Sequence, residues 1–546
     1  MNCHIPHSKL PFPPAVALFL AALAVLHAAD APKQKPNIII ILADDLGYGD
    51  VQSYNPERGK IPTPGIDKFA AQGMRFTDGH SSSAVCTPSR YSLLTGRYSW
   101  RSRLQHGILG LFKEPLIAPD RMTIGTLAKQ QGYRTAAIGK WHLGMDWPFS
   151  QEQRKFLVGP TKAGQPDEPT PEHLAAWQAV FTKPISGGPT ARGFDTFFGT
   201  DAPNFPPFCF IENNRTLGVP SEFLPRQLKD GSLACSPGPA LKGWKLEDIL
   251  PTVGERAAQF ITERAAKAEP FLLYLPLTSP HTPHAVSDTW RNKSGLNTYA
   301  DFVMETDAII SRVLDALDKS GAEKNTLVIL TSDNGCAPHG AELEAKGHYP
   351  SGPLRGYKSD AWEGGHRIPF IVRWPGVVKP GSVSSQLVSQ VDLFATFAEI
   401  LGAKLPENAA EDSFSLLPLF KGVDRPVREN VVCTSHGGVP ALRLGSWKYI
   451  ADPGSGGWGK GGDSSQPVQL FNLADDLGET QNLAAAMPEK VAEMKALLEK
   501  LITHGRSTPG VSQKNDVAVV RYPREPAKKD GTKKTATKPT TSEPRD

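Results

Sequence analysis

Residues 37–47 read Asn-Ile-Ile-Ile-Ile-Leu-Ala-Asp-Asp-Leu-Gly. From Asn37 to Ala43 the run is apolar without alternation, the pattern of a strand covered on both faces. It then breaks off at two adjacent carboxylates and a glycine. Three more short apolar runs have the same character: Thr135 to Ile138, Phe271 to Leu275 and Thr326 to Leu330. Helical patterns lie between them. Ile66 to Gln72 ends at Gly73, Ile124 to Gln131 ends at Gly132, and Asn297 to Lys319 ends before Gly321, each with the stop signal expected of a helix. Alternating strand and helix argues for an open α/β sheet whose central strands are parallel.

Working outward, the segment from Pro148 to Pro239 is rich in Pro and Gly and lacks periodicity. It reads as insertions and loops that shape a cleft. After about Arg428 the pattern changes. Val431 to Ser435, Ala441 to Ile450 and Val468 to Asn472 read as strands of a small antiparallel sheet, and Pro488 to His504 as an amphipathic helix packed on it. From Pro523 the chain has almost no apolar residues and is expected to be disordered. The expected organisation is a leader over 1–31, a main domain over 32–428, an α+β subdomain over 429–515 and a basic disordered tail over 516–546.

The bulk numbers agree. A chain of 546 residues is long enough for one large domain and a smaller one. A hydrophobic share of 39% suits a soluble globular protein, not a multi-span membrane protein, and a net charge of +4 gives no argument for a nucleic-acid partner. The apolar run from Ala15 to Leu26 is too short to span a bilayer, and Ala28, Ala29 and Ala31 follow it. This reads as a secretory signal, which predicts a secreted or periplasmic protein with no stable membrane span after its removal. No Cys follows to suggest a lipid anchor. Of six cysteines, none forms a Cys-x-x-Cys pair, so a thiolate zinc site is not expected. Cys209 and Cys235 flank a Pro-rich stretch and are read either as a disulfide or as two buried thiols.

Open parallel sheets bind ligands beyond the carboxyl ends of their strands. Each of the four apolar runs is followed by unusual polar residues: Asp44-Asp45, Lys140-Trp141-His142, Ser279-Pro280-His281 and Asp333-Asn334. Those four ends share one rim in a doubly wound sheet. Asp44, Asp45, Asp333 and Asn334 offer only oxygen, which suits Ca²⁺ or Mg²⁺ better than zinc. Taken alone, each of these sequences is also an ordinary turn or cap; their joint occurrence at successive strand ends is the signal. The sharpest stretch is Cys86-Thr87-Pro88-Ser89-Arg90. Pro88 suits a first helical turn and Gly96 its stop, which puts Cys86 at a helix N-terminus, where anions are favoured, with Arg90 one turn along on the same face.

Cys86-Thr87-Pro88-Ser89-Arg90 with Leu94-Thr95-Gly96-Arg97 resembles the signature of the type I, formylglycine-dependent sulfatases, in the style of arylsulfatase A and N-acetylgalactosamine-6-sulfatase. The resemblance runs from Asn37 to about Leu483. It takes in Asp44 to Asp50, Gly139 to Gly144, Ser332 to Gly335, Leu354 to Lys358, Glu363 to Gly365, Leu470 to Leu473 and Gly478 to Thr480. It implies an alkaline phosphatase-like α/β sandwich around a large, mostly parallel central sheet, with a smaller C-terminal antiparallel sheet and packed helix. It also implies that a maturation enzyme oxidises Cys86 to formylglycine. One hydroxyl of the hydrated aldehyde attacks sulfur, a sulfated enzyme forms, and sulfate leaves as the aldehyde returns.

By the same resemblance Asp44, Asp45, Asp333, Asn334 and the modified Cys86 hold one Ca²⁺. Arg90 orients the nucleophile, Lys140 and Lys358 grip the sulfate, and His142 is the base of the elimination. His281 donates a proton to the leaving oxygen, with Lys358 or the nearby His284 as alternatives. The expected reaction is hydrolysis of a sulfate ester, on a sulfated glycan or another sulfate ester. His348, Arg355, Trp362 and His366 lie near Lys358 in sequence and are read either as sugar-site residues or as packing. Two rival readings remain: a phosphonate or phosphodiester hydrolase of the same superfamily, and a non-catalytic glycan-binding protein.

Overall fold

The computed structural model describes residues 35–159, 168–229, 232–267 and 269–522, together with Met1. The expected leader beyond Met1 and the tail after Tyr522 lie outside the described residues.

Ten strands form the main sheet: β1 (Asn37–Ala43), β2 (Met74–Phe76), β3 (Arg134–Lys140), β4 (Thr196–Thr200), β5 (Ile211–Glu212), β6 (Arg215–Thr216), β7 (Phe271–Pro276), β8 (Thr326–Ser332), β9 (Phe370–Arg373) and β10 (Ser382–Ser384). Their spatial order is β10-β2-β9-β8-β1-β7-β3-β4-β5-β6. The five central strands β8-β1-β7-β3-β4 are parallel. On one flank β9 runs antiparallel to both β8 and β2, and on the other β5 runs antiparallel to both β4 and β6.

The unbroken run of β1 has a direct explanation. Ile38, Ile40 and Leu42 enter one hydrophobic cluster, and Ile39, Ile41 and Ala43 enter another on the opposite face. On the first face Leu93 and Leu94 of the helix Cys86–Thr95 pack with Leu127 of the helix Ile124–Gln130. On the second, Phe69 of the helix Pro64–Ala71 packs with Ile261 of Ile249–Ala265 and Val313 of Thr298–Lys319. With neither face in water, no polar residue is tolerated, and each large side chain contributes roughly 1.5–3 kcal/mol of burial. This is the alkaline phosphatase-like α/β architecture.

A second sheet of four antiparallel strands, Asn430–Thr434, Pro440–Leu444, Trp447–Ile450 and Gln469–Asn472, follows in the chain. The helix Pro488–His504 packs on it through Met494, Leu498 and Leu501.

Three expectations are corrected. The run Ala441 to Ile450 is not one strand but a hairpin, in which Leu444 pairs with Trp447 across the two residues Gly445 and Ser446. The Pro- and Gly-rich segment is not all loop. It contains the helix Pro171–Phe181 and the central strand β4. Gly199 makes β4 read as loop, yet a Cβ there would stand 1.8 Å from the Gly139 carbonyl oxygen, so the neighbouring strands require it. Finally, the chain from residue 516 to Tyr522 is docked on the body. Asp516 meets Arg97 at 3.0 Å, and the Tyr522 hydroxyl donates to the Gly437 carbonyl at 2.7 Å. Cys209 and Cys235 are buried free thiols, not a disulfide. No helix among the described residues is long and apolar enough to cross a membrane.

Candidate active site

The carboxyl ends of β1, β3, β7 and β8 lie along one edge, and the residues that follow them meet there. Asp333 N–H donates to the Ala43 carbonyl at 3.0 Å and Asp44 N–H to the Ser279 carbonyl at 2.9 Å, so the strand ends are tied by main chain. Asp45 has φ 69° and His142 φ 52°, left-handed conformations that cost non-glycine residues about 1–3 kcal/mol each and concentrate at functional sites. The loop after Asp45 is braced by Asp50, which accepts from Gly47 N–H at 2.8 Å and from the Tyr299 hydroxyl, and faces His348 Nε2 at 2.9 Å.

Side chains close the constellation. Lys140 Nζ lies 2.8 Å from Asp44 Oδ2, and Lys358 Nζ lies 3.1 Å from Asp45. Arg90 donates to Asp333 Oδ2 through Nε at 3.0 Å and Nη2 at 2.7 Å, and through Nη1 to the Lys140 carbonyl at 3.1 Å. Asn334 Nδ2 donates to Asp45 Oδ1 at 2.7 Å. His281 Nε2 is 3.9 Å from Asp45, and Cys86 Sγ is 3.3 Å from His142 Nδ1. Eight of the ten residues expected at the site therefore belong to one contact network, Cys86 and His142 form a pair within the field of Lys140, and all ten are buried. The ring of His284 packs 5.4 Å from that of Tyr299.

Cys86 opens the helix Cys86–Thr95, which ends at Gly96 with φ 66°, as the stop signal required. Burial pushes its thiol up to about 11 against the pull of Lys140 and Lys358, so at neutral pH it is a neutral thiol rather than a nucleophilic thiolate. Burial opposes ionisation of Asp44, but Lys140, His281, Arg90 and Lys358 together hold its carboxyl well below the usual range. Burial and then the Asp44 charge push Asp333 up to about 7. Burial followed by the Lys140 field keeps His142 well below its ordinary value, hence neutral. Its Nε2 faces the Leu109 carbonyl at 2.9 Å, which assigns the proton to Nε2 and leaves Nδ1 as an acceptor toward Cys86.

The donor set fits a hard cation. Asp44, Asp45 and His281 bring one ligand atom each within 4.8 Å of one another. Asp44 Oδ1 and Asn334 Oδ1 are buried with no hydrogen-bond partner. Buried oxygens left this way are costly unless something positive meets them. Asp333 is more committed, with one oxygen on Arg90 and the other accepting from Asp45 N–H at 3.2 Å.

The sulfatase family model matches residues 36–403, well over half of the chain. The chain belongs to the sulfatase family. An N-acetylgalactosamine-6-O-sulfatase of Bacteroides thetaiotaomicron is 34% identical over 538 residues, spanning 90% of this sulfatase and 98% of the relative. Human arylsulfatase A is 31% identical over 522 residues, spanning 89% and 92%. A solved structure described under the metabolism of multiple glycosaminoglycans by Bacteroides thetaiotaomicron superposes with a TM-score of 0.72 at 32% identity, covering 86% of this chain and 99% of that one. This chain is thus an enzyme of the sulfuric ester hydrolase class.

The sugar-site expectation is corrected. His348 is buried against Asp50, and Trp362 is buried with its Nε1–H donating to Gln469 at 3.1 Å. His366 is buried 3.0 Å from His80, and Arg355 lies 3.7 Å over the Trp362 ring. His348, Trp362 and His366 are buried packing residues, whereas Arg355 is half-buried and stays open to either reading. A cavity of about 370 Å³ opens instead in front of Cys86 and Lys358, walled by Arg103, Lys113, His436 and Trp458. No motif marked those residues: they come from a loop after the Cys86 helix and from the smaller sheet, joined only by folding.

Proposed function

We propose that this sulfatase removes sulfate from sulfated carbohydrate outside the cytoplasm, with a formylglycine made from Cys86 by a maturation enzyme and one bound Ca²⁺. The observation that carries the reading is the convergence of Asp44, Asp45 and Asn334, two of their oxygens without a hydrogen bond, with Lys140 and Lys358, whose charges reach Cys86 at the lining of an open pocket. A substrate with a glycan body is supported by the relative named for N-acetylgalactosamine-6-sulfate and by the glycosaminoglycan context of the similar structure.

In this proposal Asp44, Asp45, Asn334 and Asp333 would hold the cation, with residue 86 as a further ligand. When bound, Ca²⁺ supplies positive charge that polarises the sulfate oxygens, and the hydrated aldehyde supplies the attacking oxygen. The protein does the rest. Lys140 and Lys358, both buried cations, face the charge that builds on the sulfuryl group, where fixed donors are worth most because water is excluded. Arg90, locked on Asp333, fixes the helix end that presents residue 86. His142 Nδ1, unprotonated and aimed at residue 86, is placed to take a proton from that side chain. His281 and Lys358 flank Asp45 and would serve as proton donors to the leaving oxygen. The proposed boundaries are a leader over 1–31, a catalytic domain over 32–428 and an α+β subdomain from 429.

Mass spectrometry of the Cys86 peptide from protein exported by its native host tests the chemistry: replacement of the thiol by an aldehyde is expected, and a free thiol in active enzyme defeats it. Turnover of an aryl sulfate well above that of a matched phosphonate ester is the expected result. The reverse preference would assign the site to phosphonate hydrolysis.

A further inference from the structure

The pocket in front of Cys86 carries more positive charge than one sulfate ester requires. Lys358 on its floor is committed to Asp45 at 3.1 Å. On one wall Arg103 donates to the Glu114 and Pro115 carbonyls, each at 3.0 Å, and faces the exposed Glu114 carboxylate at 3.6 Å. Lys113 is exposed beside them, and its ammonium has no ion-pair or hydrogen-bond partner among the described residues. The pocket is also lined by His436 and Trp458, rings 5.4 Å apart and tilted 45° to each other, and the Trp458 indole is a surface of the kind that stacks on a sugar.

The walls are fixed to the reacting centre by main chain. Met145 N–H, two residues past the loop that carries Lys140 and His142, donates to the Lys113 carbonyl at 3.0 Å. Leu109 of the same wall accepts from His142 at 2.9 Å, and Gly107 N–H donates to the His436 carbonyl at 2.7 Å. His436 N–H and Trp458 N–H are in turn held by Ser359, the neighbour of Lys358, each at 2.8 Å. The unpaired cation therefore sits on a braced wall at a set place relative to residue 86. A volume of about 370 Å³ lies within the roughly 300–1,000 Å³ range of small-ligand sites.

We infer that Lys113, with Arg103, forms a second-anion subsite: the preferred substrate carries a carboxylate or a further sulfate in addition to the sulfate that is removed, and Lys113 reads it while Trp458 stacks on the sugar ring. This rests on the sulfate-ester reading above. An unpaired exposed cation at the mouth of a pocket gains from a second anion what a neutral sugar cannot offer, and the gain falls with salt.

The test uses the matured, metal-loaded enzyme and three sugars: a monosulfated N-acetylhexosamine, the corresponding disaccharide with a uronate, and a disulfated disaccharide. Wild type is expected to favour one of the two doubly anionic sugars through KM. Lys113→Ala is expected to lower the ratio of its kcat/KM to that of the singly charged sugar about tenfold, mostly in KM, and Lys113→Arg to restore most of the ratio. The arm that shows the effect tells carboxylate from sulfate. No preference in the wild type, or a ratio untouched by Lys113→Ala, overturns the subsite alone. A matured enzyme that hydrolyses none of the three sugars and no aryl sulfate overturns the sulfate-ester reading as well.

Discussion

The molecule holds two buried clusters of nearly the same composition. The strand-end cluster has carboxylates at Asp44, Asp45 and Asp333, cations at Arg90, Lys140 and Lys358, and two imidazoles. The second lies where the main sheet meets the four-stranded sheet. It has carboxylates at Asp78, Glu363 and Glu479, cations at Arg367, Arg443 and Lys448, and the imidazoles of His80 and His366. Both contain groups of residues able to hold a metal.

They differ in what is left over. At the junction Lys448 Nζ sits 3.0 Å from Glu363, 2.9 Å from Glu479 and 3.3 Å from His366 Nε2, so a cation already fills the place between the ligand atoms. Arg443 meets both Asp78 and Glu363 at 3.1 Å. Glu363 Oε1 and Glu479 Oε1 make no hydrogen bond by geometry but have the Lys448 ammonium against them, whereas at the strand ends Asn334 Oδ1 has no donor and Asp44 Oδ1 has only Arg90 at 3.5 Å. Asp45 and His142 there hold left-handed backbone, but so does Glu479 at the junction, with φ 53°. Charge alone does not mark a reactive centre, and neither does left-handed backbone or a neighbouring cavity, since Asp78, Arg367 and Arg443 of the junction line one; a buried ligand oxygen that no cation has closed on does. The junction cluster is a staple between two sheets.

The comparison can be broken by experiment. Cys86→Ala should abolish sulfate-ester hydrolysis by roughly ten-thousand-fold or more while leaving the urea midpoint unchanged. Substantial residual activity would remove the strand-end cluster from the chemistry. Lys448→Met should cost about 3–5 kcal/mol in urea unfolding, because it strands Glu363 and Glu479 as buried charges. A loss under about 1 kcal/mol would mean the junction is no staple. Stripping divalent ions with a chelator should lower the melting temperature as well as activity, by about 2.7 kcal/mol of lost linkage where calcium stood at a hundred times its dissociation constant. Asp44→Asn should be nearly insensitive to the chelator, and the junction variant as sensitive as wild type.

The smallest effect is a pH slope. Burial, and then the Glu363 charge, pushes Glu479 up to about 7 despite Lys448. Its folded value lies above its unfolded value, so it contributes stability that is whole below about pH 4.5 and lost as pH rises through about 7. Urea midpoints taken between pH 5 and pH 8 should fall by on the order of 2 kcal/mol from this group. Glu479→Gln should flatten that slope, and an unchanged slope would assign it to another group.

Both clusters are spelled in the chain, but not equally legibly. The strand-end residues each follow a run of continuous apolar sequence, and a parallel sheet delivers all such ends to one edge. The short strand Thr196–Thr200 escaped notice because Gly199 serves a close backbone approach rather than a propensity. His348, Trp362 and His366 are close to Lys358 in sequence, but their contacts hold them in the interior.

Periodicity and the order of short motifs, both local properties, sufficed for the α/β class and for the sulfatase family, and they marked the seven residues at the strand ends together with Cys86, Arg90 and Lys358. The pairing of those residues, the staple formed by Lys448 and the pocket wall shared by Lys113 and Trp458 were decided by folding. Each joins segments tens to hundreds of residues apart, and which charge finds a partner there depends on burial and distance that only the packed chain sets.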